Sequence, residues 1–350
     1  MSHIIFYAIN GVGLGHIARL SVVQRHLESH NPDHSVEALC RSTMGSMFFT
    51  CPCTNVPRRR DLTKALGIRG VSGLYNLLQT RLRPAKRKTV FFDTYWSNSV
   101  VKRLKAGGHR TILIMQSFKP DAMFEALQLA NRLFDHVFFP CEAEELEYHY
   151  KSHPKLWALL QQDKFEALGP FVREADQRDQ TEKVIFTLGG GGEHDNEDPA
   201  YSVHAYLEQY VETAHILHAA GKTNLYLAKG PLMTPDIDLG PLQVLETMSL
   251  PDLFGENTCV VTRGTYNLGW EAMAAGAKLV ATTRSAISAE HADSRNQYLA
   301  SKQYSYCAPL NAKALAKAIL QDKPAKLQEA TQLVNARQGL SRLTEVICAK

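Results

Sequence analysis

The chain has 350 residues, 45% of them hydrophobic and 21% charged, with a formal net charge of +4. That length suits about two domains, and the composition excludes a disordered, coiled-coil or fibrous chain. The charge is uneven, with 22 Lys/Arg against 14 Asp/Glu in residues 1–168 and 17 against 21 in the remainder.

In chain order, Ile4–Ile9 reads as a strand, followed by a glycine loop and a helix over Ile17–Ser29. Ser35–Leu39, Thr89–Phe92, Thr111–Met115 and His136–Phe139 read as further short buried strands, with helices over Ser97–Lys105 and Asp121–Phe134. Apolar strands alternating with amphipathic helices indicate a parallel sheet with crossover helices. The pattern breaks at Leu168-Gly169-Pro170-Phe171-Val172-Arg173 and restarts with the strand Lys183–Leu188, a second glycine loop and a helix near Tyr201–Ala220. Strands follow at Asn224–Ala228, Gln243–Leu245, Cys259–Thr262 and Lys278–Thr282, with helices near Asn267–Ala275 and Ala292–Ser301 and a mostly helical tail from Ala312 to Ala349. The fold class is therefore α/β, with two Rossmann-like domains, residues 1–168 and 169–350, facing across a cleft. The C-terminal helix is expected to return to the first domain.

The seven cysteines show no zinc spacing, and Cys51-Pro52-Cys53 is too tight for a knuckle. Reduced thiols are the expectation, with no metal and no cofactor. The start of the chain lacks the basic segment and apolar run of a leader, and no stretch is long enough to cross a membrane. A cytoplasmic location is expected.

The loop Asn10-Gly11-Val12-Gly13-Leu14-Gly15-His16 follows a strand and opens a helix. Glycines let a backbone turn sharply and approach a ligand, and helix N-terminal amides favour an anion. A dinucleotide fingerprint would need glycine where His16 stands, and no P-loop motif occurs. His16 would lie at the C-terminal edge of the first strand, where open α/β sheets bind ligands, and an imidazole there can take a substrate proton. The alternative is a helix-start histidine bonded to its own loop. The second loop, Gly189-Gly190-Gly191-Gly192-Glu193-His194, suits either a close ligand, with Gly190 and Gly191 against it, or a flexible connection. In Arg263-Gly264-Thr265-Tyr266-Asn267, Gly264 permits a turn and Thr265 can cap the next helix, whose open amides suit a diphosphate. Glu271 lies one turn beyond Asn267 on the same face, placed to bond a ribose diol or to sit at the surface.

Together these residues resemble a GT-B glycosyltransferase, specifically family 28, which includes the N-acetylglucosaminyltransferase that makes lipid II. The resemblance spans nearly the whole chain. It rests on Gly11, Gly13, Gly15, His16 and Arg19, on the second loop, on the link Leu168–Arg173, and above all on Arg263-Gly264-Thr265 through Glu271-Ala272-Met273-Ala274-Ala275-Gly276. It implies a donor turn and helix at Arg263–Asn267, with Glu271 holding the ribose. It also implies a nucleobase loop at Met248 and Leu250, and a polar pair for sugar hydroxyls at Asn296 and Gln297. Trp270 and Asn267 replace the small or hydroxyl residues usual on this helix, and Lys278 stands where proline is common.

The implied reaction is inverting transfer from a nucleotide-diphosphate sugar, UDP-sugar the first expectation, to an acceptor in envelope or glycoconjugate synthesis. His16 is assigned as base. Asp93 either orients it or caps a helix. Amides at Gly264–Asn267 support the leaving diphosphate, with Arg263 as an added charge. Between Arg58 and Arg110, 14 basic residues face only Asp61 and Asp93, interleaved with leucines. That suits an anionic or lipid-linked acceptor or a peripheral contact with the inner membrane face, or else an ordinary solvated surface. No recognised nucleic-acid motif occurs, so no nucleic acid is expected. Two rivals share the fold: a sugar-nucleotide hydrolase of the pseudaminic acid pathway type, with histidine activating water, and a sugar-nucleotide-binding protein without turnover. A non-hydrolysing 2-epimerase would need more paired carboxylates than the chain offers.

Overall fold

The computed structural model describes residues 3–8, 14–30, 34–40, 44–56, 88–173, 175, 178–190, 202–233, 237–247, 249–264, 266–283, 292–336 and 339–348. Contacts divide the chain into two compact units. The larger parts of the first are His16–Phe171 and the C-terminal stretch from Gly339, and the main body of the second is Val172–Gln338.

The first unit holds strands β1 (His3–Ala8), β2 (Ser35–Cys40), β3 (Cys53–Asn55), β4 (Lys88–Asp93), β5 (Arg110–Ile114), β6 (His136–Phe139) and β7 (Phe165–Ala167). They form one parallel sheet in the order β3-β2-β1-β4-β5-β6-β7. Its helices are α1 (Gly15–His30), α2 (Gly45–Phe48), α3 (Asn98–Ala106), α4 (Pro120–Leu133), α5 (Ala143–Tyr150) and α6 (Pro154–Leu160). Every residue of β4 is buried, because helices cover both faces of a parallel sheet. Phe6 and Phe91 stack at 5.2 Å between centroids, and Phe92 meets Phe134 edge-on at 5.5 Å.

The second unit repeats the plan. Strands β8 (Lys183–Thr187), β9 (Leu225–Lys229), β10 (Gln243–Glu246), β11 (Thr258–Thr262), β12 (Lys278–Thr282) and β13 (Tyr306–Ala308) form a parallel sheet in the order β10-β9-β8-β11-β12-β13. Helices α7 (Val203–Ala219), α8 (Tyr266–Ala274), α9 (Ala292–Ser301), α10 (Ala312–Leu320) and α11 (Leu327–Ala336) cover it. All nine residues of α8 are buried, as expected of a helix that is apolar on most sides. The core gathers Phe186, Tyr206, Tyr210, Leu225, Val261 and Leu315.

The last helix, α12 (Leu340–Cys348), belongs to the first unit. It buries Leu340, Leu343 and Val346, and Arg342 bonds Glu166 of β7 at 2.9 Å. Gly339 makes its entry possible, since a Cβ there would lie 2.3 Å from the Leu168 carbonyl oxygen.

Both sheets run outward from a first strand, then restart beside it, the doubly wound Rossmann order. In such a sheet the crevice for a ligand opens at the C-terminal ends of the two strands where the order reverses. In the first unit these are β1 and β4; in the second they are β8 and β11. No helix among the described residues is long and apolar enough to cross a membrane.

Candidate functional site

In the first unit, β1 feeds α1, and His16 is the second residue of that helix. Asp93 ends the neighbouring strand β4. The two side chains, 77 positions apart, meet: His16 Nδ1–H donates to Asp93 Oδ1. In the neutral imidazole this pairing places the lone pair on Nε2. Arg19 lies one turn after His16 and donates through Nε to Asp93 Oδ2 at 2.8 Å, with Nη2 on Oδ1. Thr94 adds its hydroxyl to Oδ1 at 3.0 Å, and Gln116, its amide oxygen turned inward, accepts from Arg19 Nη1 at 2.8 Å. Asp93 and Arg19 are thus a fully buried ion pair with the imidazole on its rim. Burial alone would raise the Asp93 carboxyl, but the charges of Arg19 and His16 outweigh it and hold the group at about 2. Asp93 therefore holds the imidazole as an ionised carboxylate. It does not cap α3, whose N-cap position is Ser97.

Thr94 carries a backbone feature of its own. Its φ is +58°, a left-handed conformation that β-branched residues rarely adopt. The geometry persists because Thr94 N–H bonds Ile114 O at 2.7 Å, and its hydroxyl is engaged as above. The twist turns Tyr95 outward, 44% exposed, with its ring centroid 5.5 Å from that of His16. Thr94→Ala is expected to lose about 1 kcal/mol of stability through the missing hydroxyl. Thr94→Gly should recover about that much, since glycine takes positive φ freely. Denaturant melts of the two variants check this, and an alanine variant as stable as wild type would contradict it.

In the second unit, β8 runs into Gly189 and Gly190. Gly189 N–H bonds Thr187 Oγ1 at 3.1 Å, and the loop lies so close to the next turn that a Cβ on Gly230 would meet Gly189 O at 2.0 Å. Beside it, β11 leads through Arg263 and Gly264 into α8. Gly264 has φ +72°, and a Cβ there would sit 2.1 Å from Asn296 Nδ2. Tyr266 and Asn267 form the first turn of α8, both buried. Asn296 is buried behind the turn and donates to Thr282 O at 3.2 Å, whereas its neighbour Gln297 is exposed.

Glu271 is 2% exposed, not a surface residue. Arg173 grips it with Nε on Oε1 at 2.6 Å and Nη2 on Oε2 at 3.0 Å. Burial would weaken the Arg173 charge, but the carboxylate outweighs it and holds the guanidinium above its usual range. Sequence reasoning gave Arg173 no role beyond its place in the link. The available signal was an arginine at the end of Gly169-Pro170-Phe171-Val172, but its partner is 98 positions away.

Thus His16 meets Asp93, and Arg263, Gly264, Tyr266, Asn267 and Asn296 gather at one turn, while Gly15 begins α1 and Gly190 follows β8. Gly13, Gly191, Met248 and Thr265 lie outside the described residues, as does most of the basic stretch, at 57–87. Among the described residues no group of three His, Cys, Asp or Glu is placed to hold a metal.

No family model matches the chain, and no curated protein matches it. Solved structures do. The glycotransferase of kitacinnamycin is 14% identical at a TM-score of 0.67, covering 99% of this chain and 98% of its own. Medicago truncatula UGT71G1, complexed with UDP-glucose, is 12% identical at 0.62, covering 99% and 98%. Acinetobacter baumannii MurG is 13% identical at 0.58, covering 99% of each. The likeness establishes the fold: two Rossmann-like α/β domains of the GT-B type.

Proposed function

We propose that the chain is an inverting glycosyltransferase that moves a sugar from a nucleotide-diphosphate sugar, UDP-sugar first among candidates, to an acceptor hydroxyl. The observation that carries this reading is the buried His16–Asp93 pair at the reversal point of the first sheet. It joins a charge-fixed carboxylate to an imidazole whose Nε2 is the free base. The GT-B architecture supports the reading, as do a neighbour named as a glycotransferase and another complexed with UDP-glucose. Membership of family 28 is part of the proposal and rests on the Arg263–Gly276 resemblance.

In the reaction, His16 Nε2 takes the acceptor proton as the acceptor oxygen bonds the anomeric carbon. The bond from that carbon to the diphosphate breaks, and its electron pair leaves with the nucleotide. Asp93 steadies the imidazolium that forms. The leaving charge falls on the open amides at the start of α8, with Arg263 beside them. A ribose diol at Glu271 shares the carboxylate with Arg173, which is feasible because two carboxylate oxygens offer about four lone-pair positions. An anionic or lipid-linked acceptor drawn by the basic stretch belongs to the same proposal.

The test is a thermal-shift and calorimetry panel of UDP-, dTDP-, GDP- and CMP-sugars. A ligand at 100 times its Kd adds about 2.7 kcal/mol of stability. Glu271→Ala is expected to weaken the best donor about tenfold, and unchanged affinity would remove Glu271 from the ribose. The same dyad could activate water, so free sugar released without acceptor, at a rate no acceptor exceeds, would favour the hydrolase instead.

A further inference from the structure

Four arginines, Arg19, Arg173, Arg263 and Arg295, lie in or beside the two candidate sites, and they are not partnered alike. Arg19 is matched by Asp93, and Arg173 by Glu271. Arg295, on α9, is 7% exposed and has no carboxylate partner among the described residues. Its Nη2 donates to the Gly264 carbonyl, and its Cζ lies 4.7 Å from the centre of the Tyr266 ring. A carbonyl and an aromatic face steady a guanidinium, but neither carries a compensating negative charge, and no described residue supplies one. Burying such a charge is unfavourable unless an anion answers it.

The surroundings say where that anion belongs. Gly264 is the turn before α8, a nine-residue helix whose first amides have no partner within the helix itself. Gly264 adopts φ +72°, and Asn296 fills the space behind it. By drawing the Gly264 carbonyl toward α9, Arg295 holds that oxygen, which would repel an anion, in a fixed direction. Its contact with Tyr266 ties it to the first residue of α8 as well. Charge and backbone geometry at this turn therefore depend on one side chain, reached from a different helix.

We propose that Arg295 is the positioning and charge-supplying residue for the diphosphate of a nucleoside diphosphate. It rests on the donor site proposed above. It acts through the Gly264 carbonyl and through its own field in a site shielded from water, where a charge acts more strongly than at the surface. Two linked phosphates gain more from it than one, so Arg295 selects diphosphates over monophosphates.

The test is calorimetry with UDP, dTDP, GDP and CDP, each beside its monophosphate, on wild type, Arg295→Gln, Arg295→Met and Arg295→Lys. Arg295→Gln keeps a donor for the Gly264 carbonyl and removes the charge. The neutral variants should bind the preferred diphosphate at least about tenfold more weakly, and its monophosphate within about threefold of wild type. Arg295→Lys, which keeps the charge, should retain the diphosphate preference. Circular dichroism identifies variants that fail to fold, and Arg295→Gln and Arg295→Lys then carry the comparison. Equal losses for mono- and diphosphate would make Arg295 a structural residue and overturn the proposal, as would wild-type affinity in Arg295→Gln. A wild type that binds none of the four diphosphates would instead overturn the donor site itself.

Discussion

Replacing His16 with alanine should lower turnover by about 10²–10⁴-fold, the contribution of a general base, while nucleotide-sugar affinity stays within about threefold. The reasoning is local. The His16 Nδ1–H is committed to Asp93, so Nε2 is the nitrogen that can accept a proton. The proposed donor residues Arg263, Gly264, Asn267 and Glu271 lie in the second unit, on α8 and its turn. Turnover and donor affinity measured on the same variant separate three outcomes. A large loss of rate with intact affinity supports the base. A rate within about threefold of wild type removes His16 from the mechanism. A joint collapse of rate and affinity makes it a ligand for the diphosphate or a structural residue.

Asp93→Asn should be the most damaging substitution for stability. It removes the carboxylate that Arg19 and His16 share and leaves a fully buried guanidinium with only neutral partners. Breaking a buried pair by deleting one member costs about 3–5 kcal/mol. The pH dependence follows from the same group. The folded-state value of Asp93 is depressed from 3.8 to about 2. Its contribution, about 2 kcal/mol by linkage, is therefore present above pH about 4 and is lost as pH falls toward 2. Denaturant melts between pH 2 and 7 should show this acid-sensitive increment in wild type and not in Asp93→Asn. An identical acid limb in the two proteins would contradict the charged, paired state of Asp93. Turnover should also fall steeply in Asp93→Asn, since an amide can hold the imidazole in the wrong tautomer.

The framework was legible in the sequence because buried parallel strands are written as short apolar runs. Val90-Phe91-Phe92, Ile112-Leu113-Ile114 and Val260-Val261 could be placed without any tertiary information. The glycines that let strands turn into helices marked both loops and the Gly264 turn. Short edge strands were not legible. Cys53–Asn55, Phe165–Ala167 and Tyr306–Ala308 have three residues each, too few to show a period. The helices Ala143–Tyr150 and Pro154–Leu160 were also passed over, because Lys151-Ser152-His153 interrupts what would otherwise be one pattern.

For the site, the sequence by itself determined which residue types stand at strand ends: His16 after β1, Asp93 at the end of β4, Arg263 and Gly264 after β11. A strand end is a position along the chain, and local pattern places it. Only the tertiary structure decided the partners. It made Asp93 the holder of His16 rather than a helix cap, because β1 and β4 are adjacent only after the sheet reverses its order. It buried Glu271 against Arg173, and it put Arg295 behind Gly264, 31 positions away. Each of these contacts joins groups far apart in the chain that only the fold brings together. Sequence spacing reports neighbours along one helix or strand, whereas which charges must answer one another is fixed by crossover connections and burial.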